Sequence, residues 1–339
     1  MKRSADIVGV GLGAVLILML FASTSLFARG AGEADADVVE LTFATINPGD
    51  SHLGRSAQAF ADAIEQDSGG EIRVSVFPDA TLGDASTLYD SVVSGDIDIV
   101  MSDTGWFAEA HPEFSVLEGS YLFRDGEHYQ DVLNSPDGLA FFEELLIDNP
   151  GVRHMMYVGG MERNILSTYP IESISDLDGR TMRSRDVSTE IEWWELLGAR
   201  PVPVAFAELY TAFQTGVVEG SQNSVDAMIN MRFMEVADFI ARTQHAIHLG
   251  MLVMNEERFQ SLSQRHQAAI LGAAQRVQPE YLALAFETTE DQLEMLQAEY
   301  DMTVTYPDTG AFIEASREQV AELARELGIE DVVRETFGF

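Results

Sequence analysis

Cysteine is absent from this chain of 339 residues, and lysine is reduced to one, Lys2. Without cysteine there can be no disulfide, thiolate metal site, cysteine nucleophile or lipid on an N-terminal cysteine. Arginine and lysine together number 20 against 56 acids, a formal net charge of −36. That balance lacks the dense basic surface that phosphate backbones require, so nucleic acid is excluded as a partner. Beyond residue 30 no apolar run is long enough to cross a bilayer, and no G-x-S-x-G nucleophile motif occurs. What is present is ordinary for a globular protein: 46% hydrophobic and 9% aromatic residues, on a chain long enough for two domains with their own cores. The excess of acid is also the composition of a protein suited to salt.

The long apolar run stands at the start. Lys2 and Arg3 precede "IVGVGLGAVLILMLFA", and "STSLFARGAGEADAD" follows with small residues and then acids. A charged n-region, an apolar h-region and a small-residue exit read as a secretory signal peptide over residues 1–30, cleaved near 28–30. The alternative is an uncleaved anchor, for which the run is near the minimum length. Glycines 9, 11 and 13 fall inside the h-region, so their likeness to a phosphate loop is spurious. The mature protein is expected to be exported, soluble and periplasmic.

After the acidic lead of residues 31–37, strand and helix patterns alternate. "VVELTFATI", "EIRVSVFP" and "IDIVMSD" read as strands, with "GRSAQAFADAIEQDSGG" and "STLYDSVVSGD" as helices between them. The unit recurs past residue 150, with "VRHMMYVGG", "RTMRSRD" and "ARPVPVA" as short strands and "STEIEWWELLG" and "FAELYTAFQTG" as helices. From Asn255 to about Asp301 the pattern is nearly all helical, interrupted at Pro279. Alternation of this kind predicts α/β architecture with a parallel sheet. Two such lobes on an exported chain suit a protein that closes on a solute held at the carboxyl ends of the strands.

The stretch "DLDGRTMRSRDVSTEIEWWELLGARPVPVAFAELYTAFQTGVVEGSQNS" narrows the reading. It resembles the extracytoplasmic solute-binding subunit of TRAP transporters (tripartite ATP-independent periplasmic transporters). The likeness is carried by Gly179, Met182 and Arg183, then Gly198, Ala199, Pro201, Pro203, Phe206, Glu208, Tyr210, Gln214, Thr215, Gly216, Gly220 and Asn223. "FADAIEQDSGGEIRVSVFPDATLGD" and "SGDIDIVMSD" extend it into the first half, so that it spans roughly residues 40 to 335. The resemblance implies a two-lobed periplasmic binding protein fold, its lobes joined by strand hinges and braced by a long helix kinked near Pro279. The lobes are expected at 38–160 with 249–288, and at 161–248 with 289–339. It also implies capture of an organic acid, delivery to membrane permease subunits driven by an ion gradient, no catalysis and no cofactor. Arg183 would grip the ligand carboxylate, with Arg163, Asn223 and Phe206 lining the same cleft. Family members often carry an acid near the position of Ala85, and its absence here puts a ligand contact from that loop in doubt.

Arg183 suits such a task on chemical grounds, because guanidinium is planar, always charged, and presents paired donors that match a carboxylate. Alternation places Thr181, Arg183 and Arg185 on one strand face. Arg180 and Arg185 read as surface arginines paired with the abundant acids. The net charge need not repel an anion, since the Debye length is about 8 Å at physiological salt and local guanidiniums dominate. Asp103 and Trp106, after the "IDIVMSD" strand, could meet a sugar hydroxyl and a sugar C–H face; His52, in the first strand–helix loop, is a weaker candidate of the same kind. Trp193 and Trp194 read as packing residues. His245 and His248 have a helical spacing that no neighbouring cluster completes into a metal site. The ligand expected is a sugar acid such as a uronate or aldonate. A C4-dicarboxylate or keto acid is the alternative within the same class; an exported hydrolase or a sensor-kinase-linked receptor lies outside it.

Overall fold

Strand β1 (Val39–Ala44) opens a chain whose first helix, His52–Asp67, shows how local sequence sets the elements. Ser51 caps that helix by accepting from the Gly54 amide, which satisfies one of the amides left bare at a helix start. Phe60 and Ile64 lie four residues apart and are fully buried, each worth about 1.5–3 kcal/mol in transfer from water. Gly69 and Gly70, both at positive φ, turn the chain out of the helix. In this computed structural model the described residues are 38–108, 111–135 and 151–338. The expected signal peptide and acidic lead lie outside them.

Eight further strands complete one sheet: β2 (Ile72–Phe77), β3 (Ile99–Asp103), β4 (Val152–Ser167), β5 (Thr181–Ser184), β6 (Arg200–Pro203), β7 (Gly220–Ser224), β8 (Phe239–Asn255) and β9 (Thr303–Thr305). The order is β2-β1-β3-β8-β4-β7-β5-β6, with β9 also on β8. β1 pairs in parallel with β2 and β3, and β5 does so with β6 and β7. Between these two parallel groups run the long strands β4 and β8, antiparallel to each other and to β3 and β7. Each contributes one end to each group. This is the two-lobed α/β arrangement expected, but the sheet is mixed rather than wholly parallel, because the two crossing strands enter it in opposite senses.

Alternate strand residues go to opposite faces, and helices cover both. In the first group Phe43, Ile99 and Met254 pack with Phe60, Ile270 and Val277, while Val100 and Val253 face Phe107, Phe114 and Tyr129. In the second, Leu166 and Ile240 pack with Phe213, Phe233 and Leu296, while Ile165 and Ala241 face Trp194 and Phe312. Trp193 and Trp194 are core residues, as their helix suggested.

Three sequence expectations change. "VRHMMYVGG" is not a short strand ending at its glycines; β4 continues to Ser167 through a register shift between Gly159 and Glu162. Gly159 sits at φ 119°, and a Cβ there would collide with the His248 carbonyl, so the bulge depends on glycine. The helical region breaks near Leu262 and at Thr288, while Pro279 is accommodated inside the helix Gln264–Glu287. That helix packs on the first group, and the following helix, Thr289–Tyr300, packs Leu293 and Leu296 on the second. His245 and His248 lie on β8, not on a helix. The helix Gly310–Leu327, next to last in the chain, places Phe312 in one cluster with Trp194 and Val320 in one with Phe114, so it touches both groups.

Candidate functional site

The carboxyl ends of β3 and β5, the bulged middle of β4 and β8, and β7 converge on a cleft of about 330 Å³, within the size range of small-molecule sites. Arg183, Arg163, Asn223, Phe206, Asp103 and Trp106 all line it. Their sequence spread is wide, and the topology brings them together.

Arg183 is only 4% exposed. Its Nε donates to the Val204 carbonyl at 2.9 Å, which fixes the plane of the guanidinium. Among the described residues no carboxylate lies within 4 Å of it. Burial therefore pushes its pKa down to about 10, and the cationic neighbours Arg185 and Arg163 add to that, against an upward pull from Glu190.

Arg163, in the second half of β4, donates to Gln222 Oε1 at 3.0 Å, and its nearest carboxylate, Asp103, is 3.8 Å away. Burial also lowers its pKa. Here the chain does not leave the sheet after the glycines, as the sequence suggested. The bulge redirects β4 and Arg163 reaches the cleft from within the strand.

Arg185 overturns its expected surface role. It is paired with acids, but inside the protein: Nε meets Glu190 at 2.5 Å, one terminal nitrogen meets Glu118 at 2.6 Å, and the other meets Asp103 at 3.2 Å. Burial alone would lower its pKa, yet the three carboxylates hold it well above the ordinary arginine value. Asp103 is shared, its other oxygen accepting from His248 Nε2 at 2.7 Å. Burial would raise the Asp103 pKa, but His248, Arg185 and Arg163 keep it well below the carboxylate range. The other ring nitrogen of His248, Nδ1, is buried without a hydrogen-bond partner. Arg180 does form the surface pair expected, with Glu219 at 2.8 Å, and its guanidinium lies over the Tyr169 ring.

Asn223, 4% exposed on β7, donates to Ser221 Oγ at 3.1 Å, leaving its carbonyl oxygen for another donor. Phe206 is both wall and core, lining the cleft and meeting Phe233 edge-on at 6.1 Å. His52 is not among the lining residues. Its ring lies against Tyr281 and its amide donates to Asp226, while the next residue, Leu53, reaches the cleft. The loop around Ala85 does line the cleft despite lacking an acid at that position. Asp84 beside it caps the following helix through the Thr87 amide. Glu118, Glu190, Asn47 and Ser102 were not singled out from the sequence, and His248 was weighed there only as a metal ligand, not as part of this cleft. Recognising "FIARTQHAIHLGMLVMN" as a strand would have exposed His248; nothing local marks Glu118 or Glu190. Among the described residues no group of three or more His, Asp or Glu is placed to hold a metal ion, and no helix is long and apolar enough to cross a membrane.

The sequence pattern of bacterial extracellular solute-binding proteins, family 7 (DctP), matches residues 43–327. The chain belongs to this family. Among its relatives, the sialic acid-binding periplasmic protein of Vibrio cholerae is 30% identical over 80% of this chain and 84% of its own. The 2,3-diketo-L-gulonate-binding periplasmic protein of Escherichia coli is 28% identical over 79% and 81%. A TRAP periplasmic solute-binding protein from a Sulfitobacter species, solved with α-D-taluronate, superposes with a TM-score of 0.83 at 26% identity, over 89% of this chain and 98% of its own. Another from Roseobacter denitrificans, solved with L-galactonate, gives 0.81 at 26% identity, over 88% and 98%. This family 7 member is thus a TRAP-type solute-binding protein with the two-lobed fold of its relatives.

Proposed function

We propose that this protein is a periplasmic receptor for a sugar acid, a uronate or aldonate, which it delivers unchanged to a TRAP-type permease. The observation that carries the reading is Arg183: a buried guanidinium, oriented by the Val204 carbonyl, with no carboxylate within 4 Å among the described residues. A ligand carboxylate supplies the missing anion. Asn223 and Asn47 offer amide groups to hydroxyls, and Trp106 and Phe206 offer faces to C–H groups. Arg163 joins Arg183 at the carboxylate. Asp103 acts through Arg163 and His248 rather than as a free acceptor. His52 supports the wall through Leu53. The acids bound by the relatives with uronate and aldonate ligands support the ligand class.

The lobes are taken to divide at the β4 bulge, as 38–160 with 249–288 and 161–248 with 289–339, with the C-terminal helices clasping both. Residues 1–30 are taken as a signal peptide removed on export, and the ligand leaves without chemical change. A thermal-shift panel of uronates, aldonates, keto acids and C4-dicarboxylates tests the reading. One sugar acid at 100 times its dissociation constant is expected to add about 2.7 kcal/mol of stability, and its NMR spectrum is expected to be unaltered after incubation. Arg183→Met, still folded, is expected to weaken that acid at least 100-fold. Full affinity in Arg183→Met would remove the assignment of the site.

A further inference from the structure

We propose that the cleft admits a single negative charge, so that it takes monocarboxylate sugar acids and rejects the diacids of the same carbon skeleton. The inference rests on the sugar-acid reading above and narrows it. Six ionic side chains gather at the inner end of the cleft: Arg163, Arg183 and Arg185 against Asp103, Glu118 and Glu190. The signs balance, but the pairing does not. Arg185 alone engages all three carboxylates, at 2.5 to 3.2 Å. Arg163 has Asp103 only at 3.8 Å and fills one donor with the Gln222 carbonyl oxygen. Arg183 keeps its terminal nitrogens without any carboxylate within 4 Å among the described residues.

One carboxylate placed between Arg183 and Arg163 completes the cluster. A second finds no cation. Among the described residues, the only basic side chain lining the cleft beyond the three arginines is His248, whose Nε2 is committed to Asp103 and whose Nδ1 is buried beside Gly159. The remaining charged groups on the walls are Asp84 and Asp186, both acids, and the remaining polar groups are neutral amides and hydroxyls. The far end of a bound acid therefore meets dipoles suited to hydroxyls, apolar walls, and charges of its own sign. A carboxylate there would lose water without gaining an ion pair, and loss of hydration is what makes a buried charge costly.

L-Galactonate, D-galacturonate and galactarate share one hydroxyl configuration counted from the common carboxylate, and differ at the carbon at the other end, which is an alcohol, an aldehyde carbon or a carboxylate. Isothermal titration of the purified protein with these three, and with the matching gluco series, is the direct test. For the configuration that binds, the aldarate is expected to be at least 30-fold weaker than the tighter monoacid. The aldaric acid monoamide, which keeps the size of the second carboxylate but not its charge, is expected to recover most of that loss. An aldarate that binds within a few-fold of the monoacid overturns the proposal while leaving the sugar-acid reading in place. A monoamide as weak as the aldarate also overturns it, because size rather than charge would then set the limit. If no uronate or aldonate binds and succinate or malate does, the sugar-acid reading itself falls, and this inference with it.

Discussion

Arg183 and Arg185 stand two residues apart at the end of one strand, on the same face, and both are largely withdrawn from solvent. Arg185 is enclosed by Glu118, Glu190 and Asp103, whereas Arg183 touches a backbone carbonyl and, among the described residues, no carboxylate. The same chemical group is thus a structural tie at one position and, at the other, the proposed anion receptor. Burial is common to both and decides neither role. The difference lies in what surrounds each guanidinium, and those surroundings come from segments far away: Asp103 at the end of β3, Glu118 in the turn after it, and Glu190 in the helix Ser188–Leu196. The contrast also explains how a protein with a net charge of −36 can hold an anion. Its acids neutralise one arginine thoroughly and leave the neighbouring one available.

The comparison can be broken most severely at Arg185. Arg185→Met removes the cation shared by three carboxylates, and denaturant unfolding is expected to show a loss of about 3–5 kcal/mol, as when one partner of a buried pair is deleted. Arg183→Met removes an unpaired buried charge, so its stability is expected to change by less than about 1 kcal/mol while ligand binding is lost. Equal destabilisation by the two substitutions would end the distinction between tie and receptor.

A second test sharpens the view that the wall behind Arg185 stays dry. His245 is 2% exposed, stacks on Trp193 at 4.6 Å, and lines a small space shared with Glu118, Arg185 and Glu190. Burial, with a smaller contribution from Arg163, pushes its pKa down to about 3, well below the ordinary histidine value. A histidine neutral in the folded state and free to protonate when unfolded makes stability fall as pH drops from about 6.5 toward 3. Between pH 7 and pH 4 the native protein is expected to lose roughly 3 kcal/mol more than His245→Phe, which keeps the stack but cannot titrate. Parallel pH profiles for the two proteins would show that His245 is not held neutral. The smallest effect is expected at Arg180, whose side chain is 43% exposed. After screening by solvent, Arg180→Ala is expected to cost about 0.5 kcal/mol or less, with no change in titrated affinity.

Much of this molecule is legible along the chain. Strands β1, β2, β3, β5 and β6 and the helices beside them follow from alternation, helical spacing and glycine stops, all of which are local. The long β8 was missed because "FIARTQHAIHLGMLVMN" is buried on both faces over its second half, which erases alternation. For the same reason His245 and His248 looked like residues at helical spacing. The length of β4 was missed because Gly159 and Gly160 resemble a terminator, when they serve instead to let the strand pass His248 and the helix Gln264–Glu287.

The sequence by itself determined the family and the α/β alternation, and it pointed to Arg183, because these rest on spacing and on residue chemistry. It could not determine that Arg185 is buried, that Asp103 is already engaged, or that His52 turns toward Tyr281 rather than the cleft. Those outcomes depend on which distant side chains the crossing of β4 and β8 brings within hydrogen-bond reach. Ion pairing acts over a few ångströms in space and is indifferent to separation along the chain, so the number of charges this site can hold was decided only when the chain folded.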